Sequence, residues 1–139
     1  MFVASFVVAG FNFRFAWATL PDWVTWIGVA IFLLSYVLYA EVMRENAYLS
    51  RTIEIQQGQR VIDTGLYSIV RHPMYSATIL MFLSIPLILS SIISFVIMLV
   101  YIPIIAIRIK NEERILEDGL RGYKEYKQRV KYKIIPFVW

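Results

Sequence analysis

The alternation of long apolar runs with polar stretches divides the 139 residues into segments of membrane length and two charged regions. The clearest run extends from Trp23 to about Val42, which is long enough to predict one transmembrane helix. Pro21 and Asp22 precede it, and this pair predicts a helix start with Asp22 as the N-cap.

The first 20 residues are apolar but interrupted at Asn12 and Arg14. A run of about 11 apolar residues is too short to cross about 30 Å of hydrocarbon. Two alternatives remain: residues 1–20 span the membrane with Arg14 near one interface, or the sequence begins inside a longer protein, which we favour. A signal peptide is not expected, because the segment has no basic start and no small-residue cleavage site.

Two further apolar runs, Met74 to Ser90 and Ile92 to Ile107, are separated only by two serines. Each has about 16–17 residues, near the short limit for a membrane span. Together they predict a helical hairpin, kinked at Pro86 and Pro103.

The polar stretch from Arg44 to Arg71 joins the first helix to this hairpin. It contains an alternating run at residues 53–56 and a turn at residues 57–59. Structureless loops of about 27 residues are uncommon unless they have a function. We therefore expect this stretch to contribute to a site.

After Arg108 the pattern becomes that of an amphipathic helix, because apolar residues recur at helical spacing among charged ones. These apolar positions are Ile109, Leu116, Leu120, Tyr123 and Tyr126. The tail from Lys131 to Trp139 is basic and aromatic, a composition typical of a membrane-surface anchor.

Composition and charge agree with a membrane protein. The chain is 59% hydrophobic with a mean hydropathy of +0.62, too apolar for a soluble domain of this size. Of its 14 Lys and Arg, four lie within 44–71 and nine within 108–133. This is a positive-inside distribution rather than a nucleic-acid patch, so we expect both regions to face the cytoplasm. The predicted fold is an all-α, multi-pass integral membrane protein with a helical hairpin and a C-terminal amphipathic cytoplasmic helix.

Candidate chemistry is concentrated at the cytoplasmic ends of these helices. The sequence has no cysteine and one histidine, which excludes disulfides and a multi-histidine metal site within one chain. His72 precedes Pro73, which suits the first turn of a helix. Ionisable groups near the membrane usually have partners or a function. The candidates are Tyr67, Arg71, His72, Tyr75, Arg108, Glu112 and Glu113.

Simpler interpretations of these residues remain open. An Arg-His-Pro run also occurs in ordinary loops at the membrane surface, where it has no role in a site. Arg108 and Glu112 lie four residues apart on one helix face, so they could form an ion pair that marks the membrane boundary.

The run 61–75 resembles the signature of the isoprenylcysteine carboxyl methyltransferase family, Leu/Val-Val-x-x-Gly-x-Tyr-x-x-x-Arg-His-Pro-x-Tyr. A second block matches in order and separation: Arg108, Glu112-Glu113, Leu116, Tyr123-x-x-Tyr126 and Pro136. The resemblance covers about residues 46–136, and Asn46, Ser50, Arg51 and Thr52 are similar to bacterial members.

This resemblance implies an S-adenosylmethionine-dependent methyltransferase of the membrane, acting on a carboxylate or similar group of a lipophilic substrate. Arg108 falls on the arginine that addresses the methyl-accepting group. The implied cofactor-binding residues are Gln59, Arg60, Val61, Ile62, Tyr67, His72, Pro73, Met74, Tyr75 and Glu112. No metal and no nucleic acid are implied, and the oligomeric state stays open.

The resulting expectation is a single domain over 1–139. Residues 1–43 would form N-terminal transmembrane helices that lack an upstream part, and 44–139 the cofactor-binding and catalytic region. Two alternatives remain: an NADPH-dependent membrane reductase of the sterol-reductase type, whose C-terminal layout is similar, and a non-catalytic membrane protein.

Overall fold

The computed structural model describes residues 1–49 and 54–139, and that part of the chain contains six α-helices and one 3₁₀ turn. The helices are α1 (Phe2–Phe15), α2 (Asp22–Glu45), α3 (Pro73–Ile88), α4 (Ile92–Met98), α5 (Tyr101–Gly119) and α6 (Tyr123–Arg129), and the 3₁₀ turn is Gly65–Ser68. The described residues form no β-strand, only an isolated bridge between Thr19 and Ser91. The predicted all-α class is confirmed. Ser50, Arg51, Thr52 and Ile53, which belong to predicted patterns, lie outside the described residues.

Two described stretches are long and apolar enough to cross a membrane: Asp22–Glu45, and Ile92–Gly119, which includes α4 and α5. Only 11% of the apolar window in the first is buried within the protein, and 22% in the second. Apolar helices with such exposed surfaces are suited to lipid contact. α1 and α3 are shorter apolar helices.

Three predicted boundaries are wrong in detail. α5 runs without interruption through Arg108, because Arg, Lys and Glu continue a helix as readily as Ile does. The second arm of the hairpin is instead interrupted at Leu99 and Val100, and Pro103 lies in the first turn of α5, where its missing N–H causes no kink. Asp22 is the first residue of α2 rather than its cap.

The predicted C-terminal amphipathic helix is also divided. α5 ends at Gly119, and α6 starts after Gly122, whose φ of 88° lies in the left-handed region that glycine adopts readily. The apolar face persists across this break, since Leu120, Tyr123 and Tyr126 are all buried.

The chain forms two compact units, and each contains part of α2, α3 and α5. Unit 1 comprises Met1–Val37 and Ala77–Ile104, and unit 2 comprises Leu38–Ser76 and Ile105–Trp139.

Unit 1 packs α1 against α4 through small polar residues. The hydroxyl oxygens of Ser5 and Ser94 lie 2.5 Å apart, and Ser94 also donates to the Ser5 carbonyl at 2.7 Å. Asn12 donates to the carbonyl of Ser90 at 3.1 Å. Buried serine and asparagine side chains that bond across helices allow close approach in an apolar environment.

Gly28 in unit 1 provides a test of this packing. A Cβ at Gly28 would lie 3.0 Å from the Cβ of Leu87 and 3.1 Å from the backbone nitrogen of Ile88, whereas one at Gly10 would meet nothing within 4 Å. We expect Gly28→Val to destabilise the protein by about 1–3 kcal/mol through overpacking. Thermal unfolding in detergent measures the effect, with Gly10→Val as the matched control. Equal stability of the two variants would contradict the packing described here.

Unit 2 has a small core formed by Leu120, Tyr123, Tyr126 and Val130, with Ile55, Val61 and Leu116 packed against it. These residues come from the interhelix stretch, the end of α5, and α6. The core therefore joins the polar stretch before α3 to the C-terminal helices of the same unit.

Candidate active site

The segment that enters α3 is fixed by backbone hydrogen bonds to the C-terminal segment of the chain. The backbone N–H of Arg71 donates to the carbonyl of Tyr132 at 2.9 Å, and that of His72 donates to the carbonyl of Lys133 at 2.8 Å. Pro73 is the first residue of α3, as predicted, and the carbonyl of His72 accepts from the N–H of Tyr75. His72 thus lies at the helix N-terminus with its backbone already bonded.

Glu113 is the buried centre of an ionic cluster in unit 2. Its Oε1 accepts from Arg71 Nε at 2.7 Å and lies 3.2 Å from His72 Nε2. The Nζ atoms of Lys127 and Lys133 approach its Oε2 at 3.6 and 3.8 Å. A buried carboxylate needs such partners, because an unpaired charge in a poorly solvated site is very costly.

Arg71 links this cluster to the C-terminal segment. Its Nη1 donates to the carbonyls of Val130 and Lys131 at 2.7 and 2.8 Å. Since its side chain also pairs with Glu113, Arg71 bonds to two sequence-distant regions while remaining buried. Its contacts are those of a structural residue that holds the loop in place.

Arg108 and Glu112 converge on one hydroxyl group. Arg108 Nε donates to the hydroxyl oxygen of Tyr75 at 2.7 Å, and this hydroxyl donates to Glu112 Oε2 at 2.7 Å. Arg108 and Glu112 share a face of α5, as their spacing predicts. Tyr75 in α3 therefore orients both charged side chains.

Tyr67, in the 3₁₀ turn, supplies a second buried hydroxyl. It accepts from Asn46 Nδ2 at 2.9 Å, and the carbonyl of Tyr67 accepts from the hydroxyl of Tyr126 at 2.7 Å. Burial raises the pKa of the Tyr67 hydroxyl to about 12, although the hydrogen bond from Asn46 lowers it. Near neutral pH this hydroxyl is protonated and can donate to a ligand.

These side chains surround a partly enclosed cavity in unit 2. It contains about 870 Å³ of empty space, part of which is open solvent. Apolar groups such as Val61, Ile62 and Leu116 share the wall with polar groups such as Asn46 and Glu112.

Ten of the eleven residues predicted for the site line this one cavity. Pro73 does not; it is buried at the start of α3. The ten are Gln59, Arg60, Val61, Ile62, Tyr67, His72, Met74, Tyr75, Arg108 and Glu112. The structure thus brings these ten residues together around one cavity. Their roles in cofactor binding and catalysis stay predictions.

Several wall residues were not predicted as site residues. Asn46, Tyr48, Leu120, Tyr123 and Tyr126 also line the cavity. The apolar periodicity of the C-terminal region did place the last three on one face of the predicted amphipathic helix, but it did not indicate a ligand site.

The fold is that of an all-helical integral membrane protein, and its polar cavity is a candidate small-molecule site. Residues 23–121 match the family described as phospholipid methyltransferase. The chain therefore belongs to the phospholipid methyltransferase family.

A solved structure shares this fold, that of the eukaryotic intramembrane Ras methyltransferase ICMT, an isoprenylcysteine carboxyl methyltransferase. The TM-score is 0.80 at 23% identity, and the match covers 98% of this chain and 50% of that one. The predicted fold, that of an isoprenylcysteine carboxyl methyltransferase, is confirmed; the bacterial type stays a prediction.

A Delta(14)-sterol reductase of Mus musculus is also similar, with 32% identity over 91 residues. This match covers 63% of the present chain and 22% of the reductase. The chain thus spans about half of the solved structure and about a fifth of the reductase.

Proposed function

We propose that the cavity of unit 2 binds S-adenosylmethionine and that the protein transfers a methyl group to a carboxylate or similar group of a lipophilic substrate. The observation that carries this proposal is the convergence of Arg108 and Glu112 on the Tyr75 hydroxyl, in the wall of a cavity that also includes residues 59–62. Membership of the phospholipid methyltransferase family supports the same chemistry.

The residues present fit such a cofactor. Glu112 offers a carboxylate to its amino or hydroxyl groups, and Tyr67 offers a protonated hydroxyl. Val61, Ile62 and Met74 offer apolar surface for its adenine ring. Gln59, Arg60, His72 and Tyr75 complete the proposed set, and Pro73 fixes the backbone of the segment that presents them.

In this reaction the protein has to position the acceptor against the methyl group, and it does not have to transfer a proton. When bound, S-adenosylmethionine supplies a methyl group on a positively charged sulfur. A carboxylate acceptor is already ionised near pH 7 and needs no general base. Arg108 would hold that acceptor through its guanidinium group, which matches carboxylate geometry, and the Tyr75 hydroxyl fixes the direction of its Nε.

The proposed substrate is a lipid or another lipophilic molecule that reaches the site from the bilayer, with membrane lipids around the protein. The positive charge of regions 44–71 and 108–139 supports a multi-pass protein whose site faces the cytoplasm. We further propose that residues 1–43 and 44–139 belong to one methyltransferase domain.

A second candidate function is an NADPH-dependent reductase, favoured by the similarity to the sterol reductase. The two candidates differ in cofactor, so binding distinguishes them. A nicotinamide cofactor that bound in preference to S-adenosylmethionine would move the assignment to the reductase.

The experiment is isothermal titration calorimetry of the full chain in detergent with S-adenosylmethionine and, separately, with NADPH. We expect saturable binding of S-adenosylmethionine only. Glu112→Ala should weaken it by about 10-fold or more, because a hydrogen bond to a charged group contributes about 1.5–3 kcal/mol.

Asp118→Ala is the matched control, since Asp118 is exposed, lies on the same helix and does not line the cavity. Absence of S-adenosylmethionine binding to folded protein, or equal binding by the Glu112 and Asp118 variants, would overturn the proposal.

A further inference from the structure

One wall residue of the cavity carries a buried polar atom that the fold leaves unsatisfied. Tyr123, the first residue of α6, is only 4% exposed and lines the cavity. Within the described part of the chain its hydroxyl oxygen is shielded from solvent and has no hydrogen-bond partner. Burial raises the pKa of this hydroxyl above its usual value, so it stays protonated.

The contrast with Tyr126, one turn further along α6, makes this state unusual. The Tyr126 hydroxyl is buried too, but it donates to the carbonyl of Tyr67 at 2.7 Å. Most buried side-chain polar atoms in proteins are bonded, and leaving one unsatisfied costs about 1–3 kcal/mol. A phenylalanine at position 123 would fill the same place in the core of unit 2 without that cost.

The carboxylates that act on Tyr123 electrostatically are bonded to other groups. Glu113 bonds Arg71 and lies beside His72, and Glu112 accepts from Tyr75. Neither carboxylate bonds the Tyr123 hydroxyl, which has no hydrogen-bond partner among the described residues.

We propose that ligand entry uncovers the Tyr123 hydroxyl, which neighbouring side chains shield in this structure, and that this hydroxyl then hydrogen-bonds the ligand of the cavity, by the proposed function S-adenosylmethionine. The ligand presents several polar groups of this kind: a carboxylate, two ribose hydroxyls and the adenine nitrogens. The hydrogen bond to the ligand then offsets the cost of leaving this buried hydroxyl unpaired. The inference rests on the proposed function for the identity of the ligand and on the unpaired hydroxyl for the residue.

Two measurements on Tyr123→Phe in the full chain test this. Titration with S-adenosylmethionine, and separately with S-adenosylhomocysteine, should show affinity about 3- to 10-fold weaker than wild type. Unfolding of the ligand-free protein should show equal or higher stability, because the variant removes an unsatisfied polar atom. A residue with a merely structural role would give the opposite pattern, with lower ligand-free stability.

Tyr36→Phe serves as the control for the substitution itself, since Tyr36 lies in unit 1 and is 61% exposed. Tyr126→Phe serves as the control for a satisfied hydroxyl and should lower the stability of the ligand-free protein. Wild-type affinity in Tyr123→Phe, or a loss of ligand-free stability like that of Tyr126→Phe, would overturn the inference. If the wild-type protein binds neither compound, the proposed function fails instead, so the two failures are distinguishable.

Discussion

Replacing Glu113 by glutamine is expected to destabilise the protein by about 3–5 kcal/mol, because it leaves Arg71 as a buried charge without its carboxylate. The side chains of Arg71 and Glu113 are 3% and 5% exposed, so solvent cannot compensate for the loss. Glutamine keeps the volume and one acceptor oxygen for Arg71, so the expected effect comes from the lost charge. Chemical denaturation in detergent micelles measures the free energy of unfolding.

Glu117→Gln is the matched control for this prediction. Glu117 lies one turn further along α5 and pairs with Lys127 nearer the surface. Partly exposed ion pairs contribute about 0–1 kcal/mol, so this variant should unfold almost as the wild type does. If Glu113→Gln lowered the free energy of unfolding as little as Glu117→Gln does, the buried pair of Arg71 and Glu113 would not be a main source of stability.

The second large effect is expected at Arg108. Arg108→Gln should lower kcat/KM for methyl transfer by about 100- to 1,000-fold, the usual cost of removing one group that orients or stabilises the reacting centre. Affinity for S-adenosylmethionine should change by no more than about 2-fold, because Arg108 is proposed to hold the acceptor rather than the cofactor.

The measurement is transfer of a labelled methyl group to a panel of lipophilic acids that includes a prenylated cysteine with a free carboxylate. Arg114→Gln is the control, since Arg114 is exposed on the same helix and does not line the cavity. Arg108→Lys adds a geometric test: lysine keeps the charge but not the planar fork, so it should restore little activity. Full activity in Arg108→Gln would remove this residue from the proposed mechanism.

Local sequence signals predicted the parts of the fold that depend on local physics. The length of the apolar run gave α2, and the fixed φ of Pro73 gave the start of α3. The four-residue spacing of Arg108 and Glu112 placed both on one face, and the structure brings them to the same hydroxyl.

Contacts between distant parts of the chain were not visible in the sequence. Glu113 is 42 residues from Arg71, and the sequence next to either residue does not predict that the two form an ion pair. His72 was predicted as a cofactor residue, yet its Nε2 faces Glu113, 3.2 Å away. The change from apolar to charged residues near Arg108 marks a change of environment rather than the end of a helix, so the predicted boundary there was wrong.

The Tyr123 hydroxyl shows a different limit of sequence reasoning. Its helical spacing with Leu116 and Leu120 correctly predicted a shared face, and the structure does bury it. Periodicity reports which side chains are buried, however, and not whether a buried hydroxyl finds a partner. Whether it does depends on contacts between residues that are distant in sequence.

The most direct test of the central claim is to locate the cofactor on the chain. Ultraviolet cross-linking of labelled S-adenosylmethionine to the full-length protein, followed by mass spectrometry of the digested product, identifies the labelled residues. We predict labels within 59–75 and 108–126, lost when excess S-adenosylhomocysteine competes. Labels confined to unit 1, or labels that the competitor does not reduce, would contradict the assignment of this cavity as the cofactor site.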